Sequence, residues 1–454
     1  MPGTGRQPAF LSPSQRARIA GIAILTFLLG NAFIVALIWA RHSGPAGTAS
    51  PAAVAMAAGQ VSALGGTYLA LVGLLLVART PLLEHLLGDR GAKYHRWIGF
   101  SAIALITLHV VFSVTGFALL DGAWVLDEFT TEVINYPYML AALVGFGLFV
   151  VVGMSSMRII RSRISYETWT GVHLYAYLAV ALAFGHQLAV GSDFAQHPLA
   201  RVYWVGLYGV VIALIARYRL AAPVWMLARH RFTADRVVVE TPDVVSIYVG
   251  GRNLDRVPVR AGQYFRLRLL TRNEWWRSHP FSISAVPDGR SIRFTVKSLG
   301  DFSARLQSLR PGTRVMLEGP YGALTSGRRT ERRVALIGGG IGVTPIRALF
   351  EEFAGSVDVK LIYRASRAED IVFFSELDQL SRSPDATVAY VIGRRGQALP
   401  QNPLDASALR GLVPDIETRD VFMCGPASMM DAVERSLREL GVPRRRVHTE
   451  RFAA

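Results

Sequence analysis

The first 220 residues contain six long stretches free of Asp, Glu, Lys and Arg: Ile19–Ala40, about Gln60–Ala78, Trp97–Leu120, Val133–Met157, Thr168–Ser192 and Val202–Ala216. A helix needs about 20 apolar residues to cross a bilayer. Five stretches meet or nearly meet that length. The sixth is short and can span only if Arg201 and Arg217 extend toward the headgroups. From about Arg231 onward the sequence returns to an ordinary globular mixture. The overall composition, 51% apolar and 18% charged, reflects that division, since soluble proteins carry about a quarter charged residues. The expected fold class is a membrane α-helical bundle of six helices followed by a soluble module.

Charge sets the expected orientation. Arg16 and Arg18 precede the first span, and Arg79, Arg90, Lys93 and Arg96 lie between the second and third. Arg158, Arg161 and Arg163 separate the fourth and fifth, and Arg217, Arg219, Arg229 and Arg231 follow the sixth. The opposite loops are poor in basic residues, and one carries Asp121, Asp127, Glu128 and Glu132. Basic loops stay inside, so both termini and the soluble module are expected in the cytoplasm, with the chain multi-pass in the cell membrane. The acidic loop reads as a solvated surface or a cation attractor. The first span is longer than the apolar core of a cleaved signal and reads as a retained helix. The net charge of +16 is largely explained by these span-flanking residues, so nucleic-acid binding is not expected.

Ionisable residues within spans are costly and point to function. The third span carries His95 and His109, and the fifth holds His173 and His186. Fourteen residues separate the first two and thirteen the second two. At 1.5 Å per residue, fourteen residues rise about 21 Å, most of a bilayer core, and return to nearly the same helix face. The two spans run in the same direction, so each offers one histidine at an inner level and one at an outer level. Two bis-histidine haems follow: His95 with His173, and His109 with His186. Thirteen steps turn an ideal helix to about 220°, so the fifth span must depart from ideal winding or hold its haems offset. The single cysteine, Cys424, excludes an internal disulfide, a four-cysteine cluster and c-type haem attachment. Any haem must therefore be held by histidine or methionine.

The soluble half begins with short alternating runs: Arg236–Glu240, Val244–Val249, Tyr264–Leu270, Ser291–Lys297 and Arg314–Leu317. Turn signals separate them, which suggests an antiparallel β-barrel. Arg333–Ile337 then reads as a buried strand running into Gly338-Gly339-Gly340-Ile341-Gly342-Val343-Thr344-Pro345 and a helix at Ile346–Phe353. A strand, a glycine turn and a helix start make a phosphate-binding site, because glycines admit close approach and a helix N-terminus favours an anion. Val359–Tyr363 completes a βαβ unit. Arg364 and Arg367 follow that strand, where guanidinium groups suit a ribose 2′-phosphate, so NADPH is favoured and NADH is the alternative.

With these motifs in order, nearly the whole chain resembles the ferric reductase/NADPH oxidase superfamily, in which six helices with paired histidines are fused to a ferredoxin reductase-type module. The resemblance implies that His279-Pro280-Phe281-Ser282 packs on the isoalloxazine and ribityl chain of FAD. It implies that Lys297-Ser298-Leu299-Gly300-Asp301-Phe302-Ser303 holds the pyrophosphate, and that Glu318–Gly322 closes the barrel. Gly338–Pro345 would bind the nicotinamide nucleotide, with Cys424-Gly425-Pro426 beside the nicotinamide ring. Phe452, in Glu450-Arg451-Phe452, would cover the flavin and move aside for the nicotinamide. The implied domains are a tail at 1–16, a six-helix haem domain at 17–220, an FAD-binding barrel at 230–328 and an α/β NAD(P)-binding domain at 329–454.

The expected function is electron transfer from cytoplasmic NAD(P)H through FAD and two b-type haems to a small acceptor outside: a ferric or cupric ion, or dioxygen. Two alternatives are a membrane-anchored reductase without haem and a haem electron donor to a partner protein.

Overall fold

The computed structural model describes residues 13–42, 50–87, 90–394, 396 and 402–451. It divides into two compact units. One comprises Ile19–Leu83 and Arg90–Leu220, and the other is built mainly from the chain beyond Ala221.

The first unit contains α1 (Pro13–His42), α2 (Pro51–Val77), α3 (Arg90–Asp121), α4 (Val125–Asn135), α5 (Met139–Ser156), α6 (Tyr166–Ala189) and α7 (Pro198–Ile215). By length and composition, six helices can cross a membrane, and they correspond to the six apolar stretches. Local signals set their starts. Ser50 accepts a hydrogen bond from Ala53 N ahead of Pro51, and Ser165 accepts one from Thr168 N. Each satisfies an amide that the first helical turn leaves free.

The sixth helix is longer than its apolar run suggests. It starts at Pro198 and continues through a π-helical turn, Ala216–Ala221, into α8 (Ala222–His230). Arg217 and Arg219 lie in that turn, so the charges that end the apolar stretch do not end the helix. The acidic loop also differs from expectation. It folds into the amphipathic α4, which buries Glu128 and Glu132 and leaves Asp127 exposed.

Small residues let the spans approach closely, as packing between apolar helices requires. A Cβ on Gly66 of α2 would lie 3.1 Å from Ile106 N of α3, and one on Gly145 of α5 would lie 2.8 Å from Ala179 O of α6. Polar groups within the bundle are paired across helices. Tyr203 OH donates to Asn31 Oδ1 (2.7 Å), Trp39 Nε1 to Gln60 Oε1 (3.2 Å), and Trp204 Nε1 and Tyr208 OH to Gln187 Oε1 (2.8 and 3.1 Å). Large apolar side chains such as Phe33 and Phe100 point outward, as they should against lipid.

The second unit starts with an antiparallel six-stranded sheet: β1 (Thr233–Thr241), β2 (Val244–Gly250), β3 (Tyr264–Leu269), β4 (His279–Ser282), β5 (Ile292–Lys297) and β6 (Thr313–Tyr321). The strand order is β4-β3-β6-β1-β2-β5. Alternation along β3 buries Phe265, Leu267 and Leu269 with Ile247, Phe294 and Leu317 in one core. A short helix, α9 (Asp301–Leu306), follows β5.

A parallel five-stranded sheet completes the unit: β7 (Arg333–Gly339), β8 (Asp358–Ala365), β9 (Ala386–Ile392), β10 (Asp420–Gly425) and β11 (Val447–Arg451), in the order β11-β10-β7-β8-β9. The helices α10 (Val343–Phe353), α11 (Phe374–Leu380) and α12 (Ala427–Glu439) accompany it. Buried Arg419 fastens the sheet base, with both Nη atoms 2.9 Å from the Asp358 carboxylate, Nε 2.8 Å from Asp415 and Nη1 3.1 Å from Val334 O.

Candidate functional site

The four span histidines come together as the spacing predicts. The rings of His95 and His173 have centroids 5.9 Å apart with planes at 70°, and those of His109 and His186 lie 6.4 Å apart at 24°. The helix carrying His173 and His186 stays α-helical through both positions. The thirteen-residue step is therefore met without a break in that helix.

The α3 histidines are oriented by backbone. His95 Nδ1 lies 3.1 Å from Gly73 O, and His109 Nδ1 lies 3.1 Å from Gly59 O. Both carbonyls belong to α2, fourteen residues apart like the histidines they face. An Nδ1–H donated to a carbonyl leaves the Nε2 lone pair free to bind a metal. Ser113 Oγ is also 3.1 Å from His109 Nδ1, and Ser156 Oγ is 3.4 Å from His173 Nδ1 while accepting Trp169 Nε1 at 3.2 Å. Among the described residues no partner meets hydrogen-bond geometry for the buried His186 Nδ1.

The residues suit a haem. Centroids about 6 Å apart leave room for a metal with one bond of about 2 Å to each ring. Among the described residues no group of three or more His, Cys, Asp or Glu could hold a metal ion by itself. A pair of imidazoles fits a metal whose remaining positions are filled by a macrocycle.

The two flavin motifs also meet. His279 of β4 stacks on Phe302 of α9 at 4.3 Å, and Phe281 lies 6.3 Å from the same ring. The Ser282 hydroxyl is buried without a partner among the described residues, which fits a polar group supplied by FAD. The Ser298–Ser303 turn is partly closed on itself, since Leu299 N and Gly300 N donate to Ser303 Oγ at 2.9 and 3.0 Å. Lys297 Nζ lies 3.2 Å from Asp243. Glu450 of β11 comes close to the Gly322 turn. Phe452 lies outside the described residues.

At the carboxyl ends of β7, β8 and β10 opens a cavity of about 420 Å³, lined in part by Lys297, Gly339, Gly340, Arg364, Arg394 and Pro426. The chain leaves β7 toward β8 on one side and β10 lies on the other, so this is the switch point where open α/β sheets bind ligands. The glycine loop and the Cys424–Pro426 turn form one surface. A Cβ on Gly342 would sit 2.5 Å from Cys424 O. Gly338, Thr344, Pro345 and Cys424 are buried behind the lining, and Thr344 Oγ1 donates to Ile341 O (2.9 Å) within the loop.

The two arginines singled out in the sequence prove less available than expected. Arg364 turns its guanidinium onto the carbonyls of Ala365, Val391 and Gly393. Exposed Arg367 pairs with Glu369 (2.6 Å) and Asp370 (2.9 Å), and its hydrogen bond holds the Asp370 carboxyl below the ordinary range. The cavity gains a cation that sequence reading missed, Arg394 just after β9, which has no acidic partner among the described residues. A basic residue at the carboxyl edge of a strand was the available signal.

The family described as ferric reductase like transmembrane component matches residues 62–184. An FAD-binding domain matches 230–325 and an oxidoreductase NAD-binding domain matches 336–435. This chain carries a ferric reductase-like transmembrane domain fused to FAD- and NAD-binding domains of ferredoxin reductase type.

The reductase half is 32% identical over 211 residues to ferredoxin–NADP reductase B of Sorangium cellulosum, covering 42% of the chain and 84% of that protein. It is 30% identical over 231 residues to the NADH oxidoreductase HCR of Escherichia coli, covering 48% of the chain and 66% of that protein. It is 29% identical over 245 residues to the glycine betaine monooxygenase reductase subunit of Chromohalobacter salexigens, covering 51% and 66%. The chain thus spans just under two thirds of the length of the latter two relatives. The chain therefore joins a ferric reductase-like transmembrane component to FAD-binding and oxidoreductase NAD-binding domains, and among the described residues six helices are long and apolar enough to cross a membrane.

Proposed function

We propose that the protein is a transmembrane flavocytochrome b that draws electrons from cytoplasmic NAD(P)H and delivers them to a ferric or cupric ion or dioxygen on the far side of the cell membrane. The observation that carries this reading is the matched pair of histidine pairs, His95/His173 and His109/His186, at two depths. When bound, FAD accepts hydride and releases single electrons, and haem iron carries them one at a time.

The rest is supplied by the chain. His95 and His109 present Nε2 because Gly73 O and Gly59 O hold Nδ1. His95 with His173 and His109 with His186 would each hold one haem, and iron held by two imidazoles would pass electrons on without binding the acceptor. His279, Phe281 and Phe302 supply an aromatic wall for the flavin. The glycine loop and the Pro426 turn admit the nucleotide backbone, and Arg394 offers a cation to a 2′-phosphate, which favours NADPH over NADH. The excess of Arg and Lys in the loops on the module's side supports a cytoplasmic module.

The test is spectroscopic. The purified protein should show paired low-spin b-type bands with two haems per flavin. His95→Ala and His109→Ala should each remove one haem and leave FAD in place. In oriented vesicles NADPH should act from the module side only, and comparison of superoxide formation with ferric-chelate reduction identifies the acceptor. Protein that binds FAD but shows no b-type bands is instead a membrane-anchored flavin reductase, and the proposal fails.

A further inference from the structure

Two buried guanidinium groups in the reductase module share one carboxylate, and the three side chains come from both nucleotide-binding halves. Arg293 of β5 donates to Glu376 of α11 through both terminal nitrogens, at 2.8 and 3.0 Å. Arg347 of α10 reaches the same carboxylate, with Nη2 2.7 Å from Glu376 Oε2. Both arginines are nine-tenths or more buried. They also converge on one carbonyl, since Arg293 Nη2 is 2.7 Å and Arg347 Nη1 is 3.2 Å from Ser284 O. Arg347 also pairs with Glu351, whose Oε2 accepts Val286 N at 2.7 Å. The Arg293 guanidinium lies 4.9 Å over the Phe373 ring. Burial opposes the Glu376 charge, but the Arg293 hydrogen bond and both guanidinium charges hold its carboxyl below the ordinary range.

The position of this cluster gives it meaning. Ser284 lies two residues beyond Ser282, the end of the flavin motif, and Arg347 lies two residues beyond Pro345, the end of the nucleotide loop. We propose that Arg293, Arg347 and Glu376 are positioning residues that fix the flavin strand against the nucleotide loop, and so set the hydride-transfer distance between NAD(P)H and FAD. Hydride transfer requires reacting atoms about 3–3.5 Å apart, and a misplacement of about 1 Å costs on the order of 10²-fold in rate. A bidentate, planar pair restrains direction as well as distance, which a lysine ammonium does not. The proposal rests on the FAD- and NAD-binding module alone, so it stands or falls separately from the haem reading.

The experiment uses full-length, flavin-loaded protein carrying Arg293→Lys, Arg347→Lys or both, mixed anaerobically with NADPH in a stopped-flow instrument. The limiting rate of flavin reduction is normalised to bound FAD. It should fall about tenfold or more in each single variant, while the apparent Kd for NADPH changes less than about threefold. The isotope effect with NADPH deuterated at the transferred position should rise. The double variant should lose less than the product of the single losses, because both arginines act on one carboxylate. Two results overturn the proposal: a wild-type limiting rate per bound flavin in both lysine variants, or a rate loss fully accounted for by lost FAD. Glu376→Gln, which keeps the shape of the site, gives the same readout if either lysine variant fails to accumulate.

Discussion

Gly342→Ala is the sharpest test of how the nucleotide loop is built. The new Cβ would lie 2.5 Å from Cys424 O, 2.7 Å from Cys424 C and 2.6 Å from Gly425 Cα. All three atoms are backbone, so no rotamer change relieves the contact, and either the loop or the end of β10 must move. Overpacking of this kind costs about 1–3 kcal/mol, and a rigid neighbour puts it near about 3 kcal/mol. For a module of roughly 200 residues that is a fall of about 6–10 °C in melting temperature. The shift also separates Gly339 and Gly340 from Pro426 across the cavity they line together. If half of the strain appears in binding, the KM for NADPH rises about tenfold.

Gly340→Ala is the control. That residue has φ +53 and nothing within 4 Å of its added Cβ, so it meets only the left-handed backbone penalty of about 1–2 kcal/mol. Release of FAD on heating, followed by flavin fluorescence in detergent, reads the stability, and NADPH-driven ferricyanide reduction reads the KM. A Gly342→Ala protein that melts with the wild type, or a Gly340→Ala protein that melts as low as Gly342→Ala, would refute the reasoning.

Arg394→Ala should raise the KM for NADPH by about 10–100-fold, the worth of a charge-assisted phosphate contact, and leave the KM for NADH within about twofold. Equal loss with both coenzymes would remove Arg394 from 2′-phosphate recognition. Glu132, buried on α4 with the Glu128 charge one turn away, has its carboxyl raised from 4.5 to about 7. Its folded form therefore prefers the proton, and the stability it contributes is complete below pH 4.5 and lost as pH rises through about 7. Glu132→Gln should abolish that loss, worth about 2–3 kcal/mol by pH 8. Parallel melting curves for variant and wild type from pH 5 to 8 would show that Glu132 is not the group responsible.

Legibility in the sequence followed the range of the interaction. Six spans were visible because burial in lipid is written directly as runs without charge. The sixth was misjudged because Arg217 and Arg219 end the run but sit in a π turn that continues the helix. Among the strands, β4 was hidden, since four residues including Pro280 carry no alternation, and its pairing with β3 is decided by partners elsewhere. The histidine pairs were legible because two helices carry near-equal spacings, fourteen and thirteen residues. The glycines that orient them were overlooked, although Gly59 and Gly73 repeat the same fourteen-residue interval. Nothing local announces that Arg293 will meet Glu376, 83 residues away. Arg364 looked like a phosphate ligand by position, but the open edge left by Val391 and Gly393 gave its guanidinium carbonyls to satisfy first.

The two halves of the proposed haem site are built differently, and that difference accounts for the unequal histidine spacing. On α3 both histidines are tied to carbonyls of α2, and the two helices are pressed together where Gly66 meets Ile106. A backbone carbonyl inside a packed helix pair cannot rotate away, so this half fixes ligand depth and ring direction at both levels. On α6 the ties are weaker. His173 has the longer Ser156 contact and packs its ring 4.9 Å from that of Trp169, and among the described residues no partner meets hydrogen-bond geometry for His186 Nδ1. A fourteen-residue interval was needed where direction is imposed by a repeating backbone. Thirteen suffices where the side chain can choose its angle, and the rings do choose differently, crossing at 70° in one pair and 24° in the other. A rigid half facing an adaptable half can bring two ligands to each iron without requiring two helices to share one periodicity.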